Sequence, residues 1–191
     1  MSPKERPRRR LPAFQNEALH KDFDSLGYLF APSLVPFPTI CHNGDMQVAH
    51  TLPARPFLSP PAAGRLCAFI HPYDGRPVEI GLLGVPSDTG VVQGGGRAGA
   101  ALGPDAIRSA LFRYGSSYNV ERDINLSSVR LADFGNLICD DTSLEKTHRR
   151  LTEAVSEIVQ LGAIPLLLGG GHDLSFGGVR GLAEAAHAPM G

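Results

Sequence analysis

Ala163-Ile-Pro-Leu-Leu-Leu168 runs directly into Gly169-Gly-Gly171-His172-Asp173-Leu-Ser175-Phe-Gly177, and this stretch decides the fold. A short apolar run of this kind is a strand covered on both faces. The three glycines let the backbone turn and approach a neighbour closely, and they deliver a histidine at the strand's end. Phe176 through Ala186 then reads as a helix.

A strand buried on both faces needs helices on both sides, and the upstream sequence supplies them. Glu79-Ile-Gly-Leu-Leu-Gly-Val85 is a second apolar run, stopped by Pro86. A Gly-rich loop, 86–103, leads to Pro104-Asp105, which opens a helix through Tyr114 with proline in the first turn, where its missing amide costs nothing. Val129-Arg-Leu-Ala-Asp133 reads as a strand closed by Gly135. Leu144, Leu151, Ala154, Val155, Ile158 and Val159 recur at helical spacing across 143–161, with Gly162 as the cap. On this reading His148 lies on the exposed side of that helix. The order β-α-β-α-β-α over 78–186 predicts an α/β fold, a three-layer parallel sheet with right-handed crossovers. The sequence stops after this third β-α unit, so the sheet reads as truncated, with an unpaired apolar edge strand.

Residues 1–77 differ in character. They hold 12 of the 16 prolines, whereas 78–191 hold 18 of the 22 glycines. Proline fixes φ and removes an amide donor, so 1–77 is expected to be a mostly irregular N-terminal segment ahead of a domain at 78–191. Phe23, Leu26, Tyr28, Leu29 and Phe30 form an apolar cluster that could pack over the domain. Arg8-Arg9-Arg10 reads as part of a solvated tail, because Pro3, Pro7 and Pro12 break any amphipathic helix around it.

Composition excludes several classes. A net charge of −1 and a pI near 6.6 argue against nucleic-acid binding driven by phosphate neutralisation. Cys41, Cys67 and Cys139 are odd in number and never paired as Cys-x-x-Cys, which argues against a disulfide framework or a zinc ribbon. No apolar run reaches the length of a membrane span, and the charged start has no apolar stretch behind it, so the expectation is a cytoplasmic protein with no membrane partner. Gly94-x-Gly96-x-x-Gly99 matches a dinucleotide fingerprint in letters, but Gly94 stands nine residues past the strand end, and Asp133, at the end of the next strand, stands 34 past Gly99 instead of about 20.

In open parallel sheets ligands bind at the carboxyl ends of the strands. Two loops fall there: 86–103 and 169–177. His172 is the candidate for chemistry, and one imidazole alone does not make a metal site. Arg97 in the first loop is the candidate group for a substrate carboxylate.

Gly169-Gly-Gly171-His172-Asp-Leu-Ser-Phe-Gly177 resembles the first metal motif of the ureohydrolase superfamily, the arginases, agmatinases and formimidoylglutamases. Gly84-Val-Pro-Ser-Asp88-x-Gly90, followed by Gly96-Arg97-x-Gly99-Ala-x-x-Gly103-Pro104-x-x-Ile107-Arg108-x-x-Leu111, is similar to the family's first loop and helix. Asp133-Phe-Gly135 matches its Asp-x-Gly. The resemblance covers 78–186; Gly171 and Arg97 lean it toward formimidoylglutamase, which releases formamide from N-formimidoyl-glutamate.

The resemblance implies an arginase-like sheet, a small-molecule amidine or guanidine substrate, a homo-oligomer when complete, and two Mn2+ ions that activate a bridging water. It makes His172 one metal ligand. The family's other ligands come from Asp-x-His-x-Asp on the next strand and Asp-x-Asp later, and neither stands in place here; Asp22-Phe-Asp24 precedes the whole domain. The expectation is therefore an incomplete, inactive portion of a metal-dependent C–N hydrolase. The alternatives are an agmatinase- or arginase-like guanidino hydrolase, a non-catalytic protein that pairs through its sheet edge, and an unrelated nucleotide-binding module.

Overall fold

The computed structural model describes residues 41–42, 45–54, 65–114 and 118–186, all within one compact unit. The apolar cluster at Phe23–Phe30, the Arg8–Arg10 run and Asp22-Phe-Asp24 lie outside the described residues. In chain order the strands are β1 (Cys41–His42), β2 (Asp45–Met46), β3 (Thr51–Leu52), β4 (Ile70–Pro72), β5 (Ile80–Gly84), β6 (Tyr118–Asn119), β7 (Ile124–Asn125), β8 (Leu131–Leu137) and β9 (Ile164–Leu168). The helices are α1 (Thr89–Gln93), α2 (Gly103–Arg113), α3 (Leu144–Gln160) and α4 (Leu174–Ala186). β1 with β2, and β6 with β7, form separate two-stranded ribbons.

The main sheet runs β8-β5-β9, all parallel, as the alternation of apolar runs and amphipathic helices predicts. Along the other side of β8, β4 pairs parallel with its first half and β3 antiparallel with its end. Strand pairing therefore begins ahead of Val78. The segment around β3 is tied down further: the Ala49 N–H donates to Glu157 at 2.7 Å, and the His50 ring meets Glu153 at 2.6 Å, both from α3.

Successive residues of β5 face opposite layers. Leu83 and Val85 pack with Phe134, Leu151, Val155, Ile158 and Leu174 toward α3 and α4. Leu82 packs with Ile70, Leu168 and Leu111 on the α2 side. This is the three-layer arrangement. Leu83 is fully buried, and its truncation to Ala would cost about 2–5 kcal/mol. On β9, Ile164 and Leu166 are about half exposed, and among the described residues nothing pairs with its outer edge.

Local signals explain the helix ends. Ser143 caps α3 by accepting from the Lys146 N–H. At its other end Gly162 has φ +82°, its N–H donates to Val159, and the Ala163 N–H donates to Ile158, a Schellman closure. α4 crosses α3 at backbone distance: a Cβ on Gly181 would stand 2.6 Å from the Thr152 carbonyl oxygen.

Gly135 does not close its strand. β8 continues through it to Leu137, with a register shift against β5 between Leu82 and Gly84. Gly135 has φ +84°, and a Cβ there would lie 2.0 Å from the Leu52 carbonyl oxygen, so the glycine marks a bulge where β3 approaches rather than an end.

Candidate active site at the mouth of the sheet

The carboxyl ends of β5, β8 and β9 open on three loops, 85–102, 138–143 and 169–173. The first is folded on itself by Asp88, whose two carboxylate oxygens accept the Gly99 and Ala101 N–H groups at 2.9 Å each. It also contains α1, a short helix within the Gly-rich segment expected to be loop. Gly94–Gly99 follows that helix rather than opening one after a strand, so the dinucleotide geometry is absent here.

The structure brings the two Gly-rich loops into contact. A Cβ on Gly103 would stand 3.0 Å from the Gly169 Cα, and one on Gly169, at φ +72°, would stand 2.5 Å from the Pro104 ring. The Gly170 N–H donates to the Ala100 carbonyl. Gly169 is thus required by backbone packing against the start of α2, and Gly170 by its approach to the Val85 carbonyl and Leu174.

His172 follows at once, exposed, and its side chain makes no hydrogen bond among the described residues. Arg97 is likewise exposed on the first loop and unpaired among the described residues. The structure leaves both free for a ligand and records no contact between them.

Asp173 points elsewhere. Its Oδ2 lies 2.9 Å from the Nε2 of His148, with side-chain exposures of 24% and 19%. His148 is therefore half-buried against α4, not on the exposed side of α3. The spacing carried this signal: His148 is four residues past Leu144 and three before Leu151, inside the apolar stripe.

Arg108 and Asp133, both motif residues, form a pair that the sequence does not reveal. Arg108 of α2 is buried and donates through Nε and Nη2 to the two oxygens of Asp133 at 2.7 Å each, through Nη1 to Asn136 at 2.7 Å, and through Nη2 to the Gly135 carbonyl at 2.9 Å. Gly84 makes room for it, since a Cβ there would lie 1.9 Å from the Asn136 Oδ1. The Asp-x-Gly of β8 thus serves to clamp α2 to the sheet.

On the third loop, Asp140 accepts from Lys146 at 2.8 Å and from the Thr142 hydroxyl at 2.7 Å, and these bonds hold its carboxyl well below the usual carboxylate range. Burial pushes the nearby Cys139 thiol up to about 11, and Asp141 adds to the rise.

Among the described residues no group of three or more His, Cys, Asp or Glu side chains converges to hold a metal. A binuclear centre does not fit what these residues alone provide; His172 is the one candidate ligand.

Comparison with known proteins agrees with this architecture. The model of the Arginase family matches residues 78–191. The formimidoylglutamase of Salmonella paratyphi A is 39% identical over 107 residues, 56% of this chain and 32% of that protein. The formimidoylglutamase of Cupriavidus pinatubonensis is 43% identical over 108 residues, 56% of this chain and 30% of that protein. Among solved structures, the Trypanosoma cruzi formiminoglutamase with manganese superposes with a TM-score of 0.56 at 36% identity, over 63% of this chain and 40% of that one. The chain spans about a third of the length of the curated relatives it matches. With the family match running from the first strand of the parallel core through both Gly-rich loops, the chain belongs to the arginase family.

Proposed function

We propose that this chain, with 78–191 as the N-terminal half of an arginase-like domain and 1–77 as a segment ahead of it, belongs to a cytoplasmic hydrolase of linear amidines. Its substrate is N-formimidoyl-glutamate, from which it releases formamide. The observation that supports this reading is the pair of Gly-rich loops packed together at the strand mouth with His172 left exposed, in a chain that resembles formimidoylglutamases. His172 is assigned as one ligand of a manganese centre whose other ligands lie outside the described residues. Manganese bound there supplies a water acidified for attack on the amidine carbon. Arg97 is assigned to a carboxylate of the substrate. The 191-residue chain by itself is expected to bind manganese weakly and to turn over little or no substrate, and the complete enzyme is expected to be a homo-oligomer.

The test uses protein captured from its native cells with an antibody to residues 143–161, supplied with Mn2+ and offered N-formimidoyl-glutamate, agmatine and arginine. Formamide from the first, abolished by His172→Ala in an expressed copy, supports the reading. Urea from agmatine or arginine would replace it with the guanidino hydrolase. The half-exposed Ile164 and Leu166 on the unpaired edge of β9 favour a second reading, a non-catalytic chain that docks through this edge. Stable co-purification with a partner, without manganese or turnover, would select it.

A further inference from the structure

We propose that the His148–Asp173 pair is a positioning latch: it seats the Asp173 carboxylate against Gly90 and Gly171 and so fixes the direction in which His172 leaves β9. The inference rests on the reading of the strand mouth as the reactive edge, and it concerns residues outside any metal ligand set. A carboxylate only accepts, so the imidazole N–H of His148 donates to Asp173 Oδ2 across 2.9 Å. The neighbours of that carboxylate come from separate elements. A Cβ on Gly90, in the first turn of α1, would stand 2.3 Å from both the Asp173 Cγ and Oδ1. A Cβ on Gly171 would stand 2.3 Å from Oδ1 and 2.9 Å from the Val91 side chain. One carboxylate therefore joins the first mouth loop, the end of the glycine triplet and α3.

His172 lies between two residues held in this way. Gly171 on one side is packed against Asp173 and Val91, and Asp173 on the other is tied to His148. The backbone closes around it in a tight turn, with the Ser175 N–H donating to the His172 carbonyl and the Phe176 N–H to the Asp173 carbonyl. The Phe176 ring lies tilted, 6.0 Å from the His148 ring. The commitment of Asp173 to His148 also explains why two adjacent polar residues at a strand end do not act as a joint ligand.

The experiment uses the full chain without metal or substrate, so failure of the hydrolase reading leaves its outcome intact. Amide hydrogen exchange by mass spectrometry is followed in His148→Ala, His148→Gln, Gly90→Ala, Asp173→Ala and the Gly90→Ala/Asp173→Ala double variant, alongside the His172 ring signal in NMR. His148→Ala is expected to raise exchange in 89–96 and 172–177 at least about tenfold, by local opening, while 131–137 and 151–159 keep their protection. The His172 signal shifts with it, and His148→Gln, which can still donate, restores both. Gly90→Ala has the same effect in the native background and none once Asp173 is Ala, the coupling expected of two residues in contact. Unchanged loops and an unmoved His172 signal in His148→Ala, or a uniform loss of protection across the sheet, would overturn the proposal. If His148→Ala does not fold, the Gly90 and Asp173 variants decide alone: Gly90→Ala equally damaging with and without Asp173 refutes the latch.

Discussion

Replacing Arg108 with methionine tests whether the clamp between α2 and β8 holds the sheet together. The Arg108 side chain is 5% exposed and that of Asp133 11%, and the guanidinium reaches both Asp133 oxygens, the Asn136 Oδ1 and the Gly135 carbonyl. Methionine keeps most of the apolar stem and removes every donor. Asp133 then retains the Gly135 N–H at 2.9 Å and no cation. Leaving one member of a buried ion pair alone costs about 3–5 kcal/mol, and a chain of this size would lose roughly 6–20 °C of its melting temperature. The sequence contains no tryptophan, so urea unfolding is followed by far-UV circular dichroism. The companion variant Arg108→Met/Asp133→Leu removes the charge as well. Because a hydrophobic pair can replace a buried ion pair at little cost, the double variant should recover at least about 2 kcal/mol of the loss. A single-variant cost below about 1 kcal/mol, or a double variant less stable than the single, would refute the argument.

Three other outcomes follow from the same structure. Cys139, with its thiol near 11 instead of the ordinary 9.0, carries roughly a hundredfold less thiolate at neutral pH; iodoacetamide labelling at pH 8 should be slower than for a free thiol by about that factor, and labelling at the ordinary rate would contradict the burial. Asp140 has its carboxyl lowered by Lys146 and Thr142, so its contribution is present above the unfolded value of about 3.9 and is lost as pH falls through the depressed folded value. Asp140→Asn should therefore lower the melting temperature at pH 7 and make progressively less difference in acid; a constant difference from pH 7 to pH 2 would reject this. Leu166→Lys places a charge on the exposed edge of β9 and should abolish concentration-dependent self-association seen by analytical ultracentrifugation; wild-type chain that stays monomeric at about 100 μM would show that the edge is harmless.

The parts of the fold legible in the sequence were those written in period. β5 and β9 announced themselves as apolar runs, and α3 as a stripe between Ser143 and Gly162, because burial on one or two faces forces those patterns. The unread parts were set by partners distant in sequence. Gly135 resembled a strand end because a glycine's need for φ +84° does not reveal whether a turn or the carbonyl of Leu52 demands it. Arg108 stands in the quoted motif, but its clamp does not show there, since its acceptors stand 25 and 28 residues away. His148 is misplaced for a different reason: a polar residue inside an apolar stripe is assigned to solvent unless its partner is known, and the partner is Asp173, in the loop between β9 and α4. β3 and β4 were obscured by the proline density around them, although Pro72 ends its strand instead of interrupting it.

The carboxylates of the mouth show from which side His172 must be completed. The three loops carry four, Asp88, Asp140, Asp141 and Asp173, and no histidine besides His172. Asp88 is spent on the amides of Gly99 and Ala101, Asp140 on Lys146, Thr142 and Ser143, and Asp173 on His148. Asp141 is exposed, but it follows β8, two strands from β9 and so about 10 Å across the sheet. Under the proposed reading, no carboxylate of the described loops is left to join His172, and further ligands have an approach from beyond the edge of β9, which no described strand pairs. That is the same side on which Ile164 and Leu166 are half exposed. A β-α unit added there would pair its strand with β9, lay its helix over the face that carries Ile164 and Leu166, and bring its own strand end level with His172, so that covering this face and completing the metal site would be one structural event. Manganese affinity and protection of the β9 amides should accordingly rise together, whichever chain supplies the element.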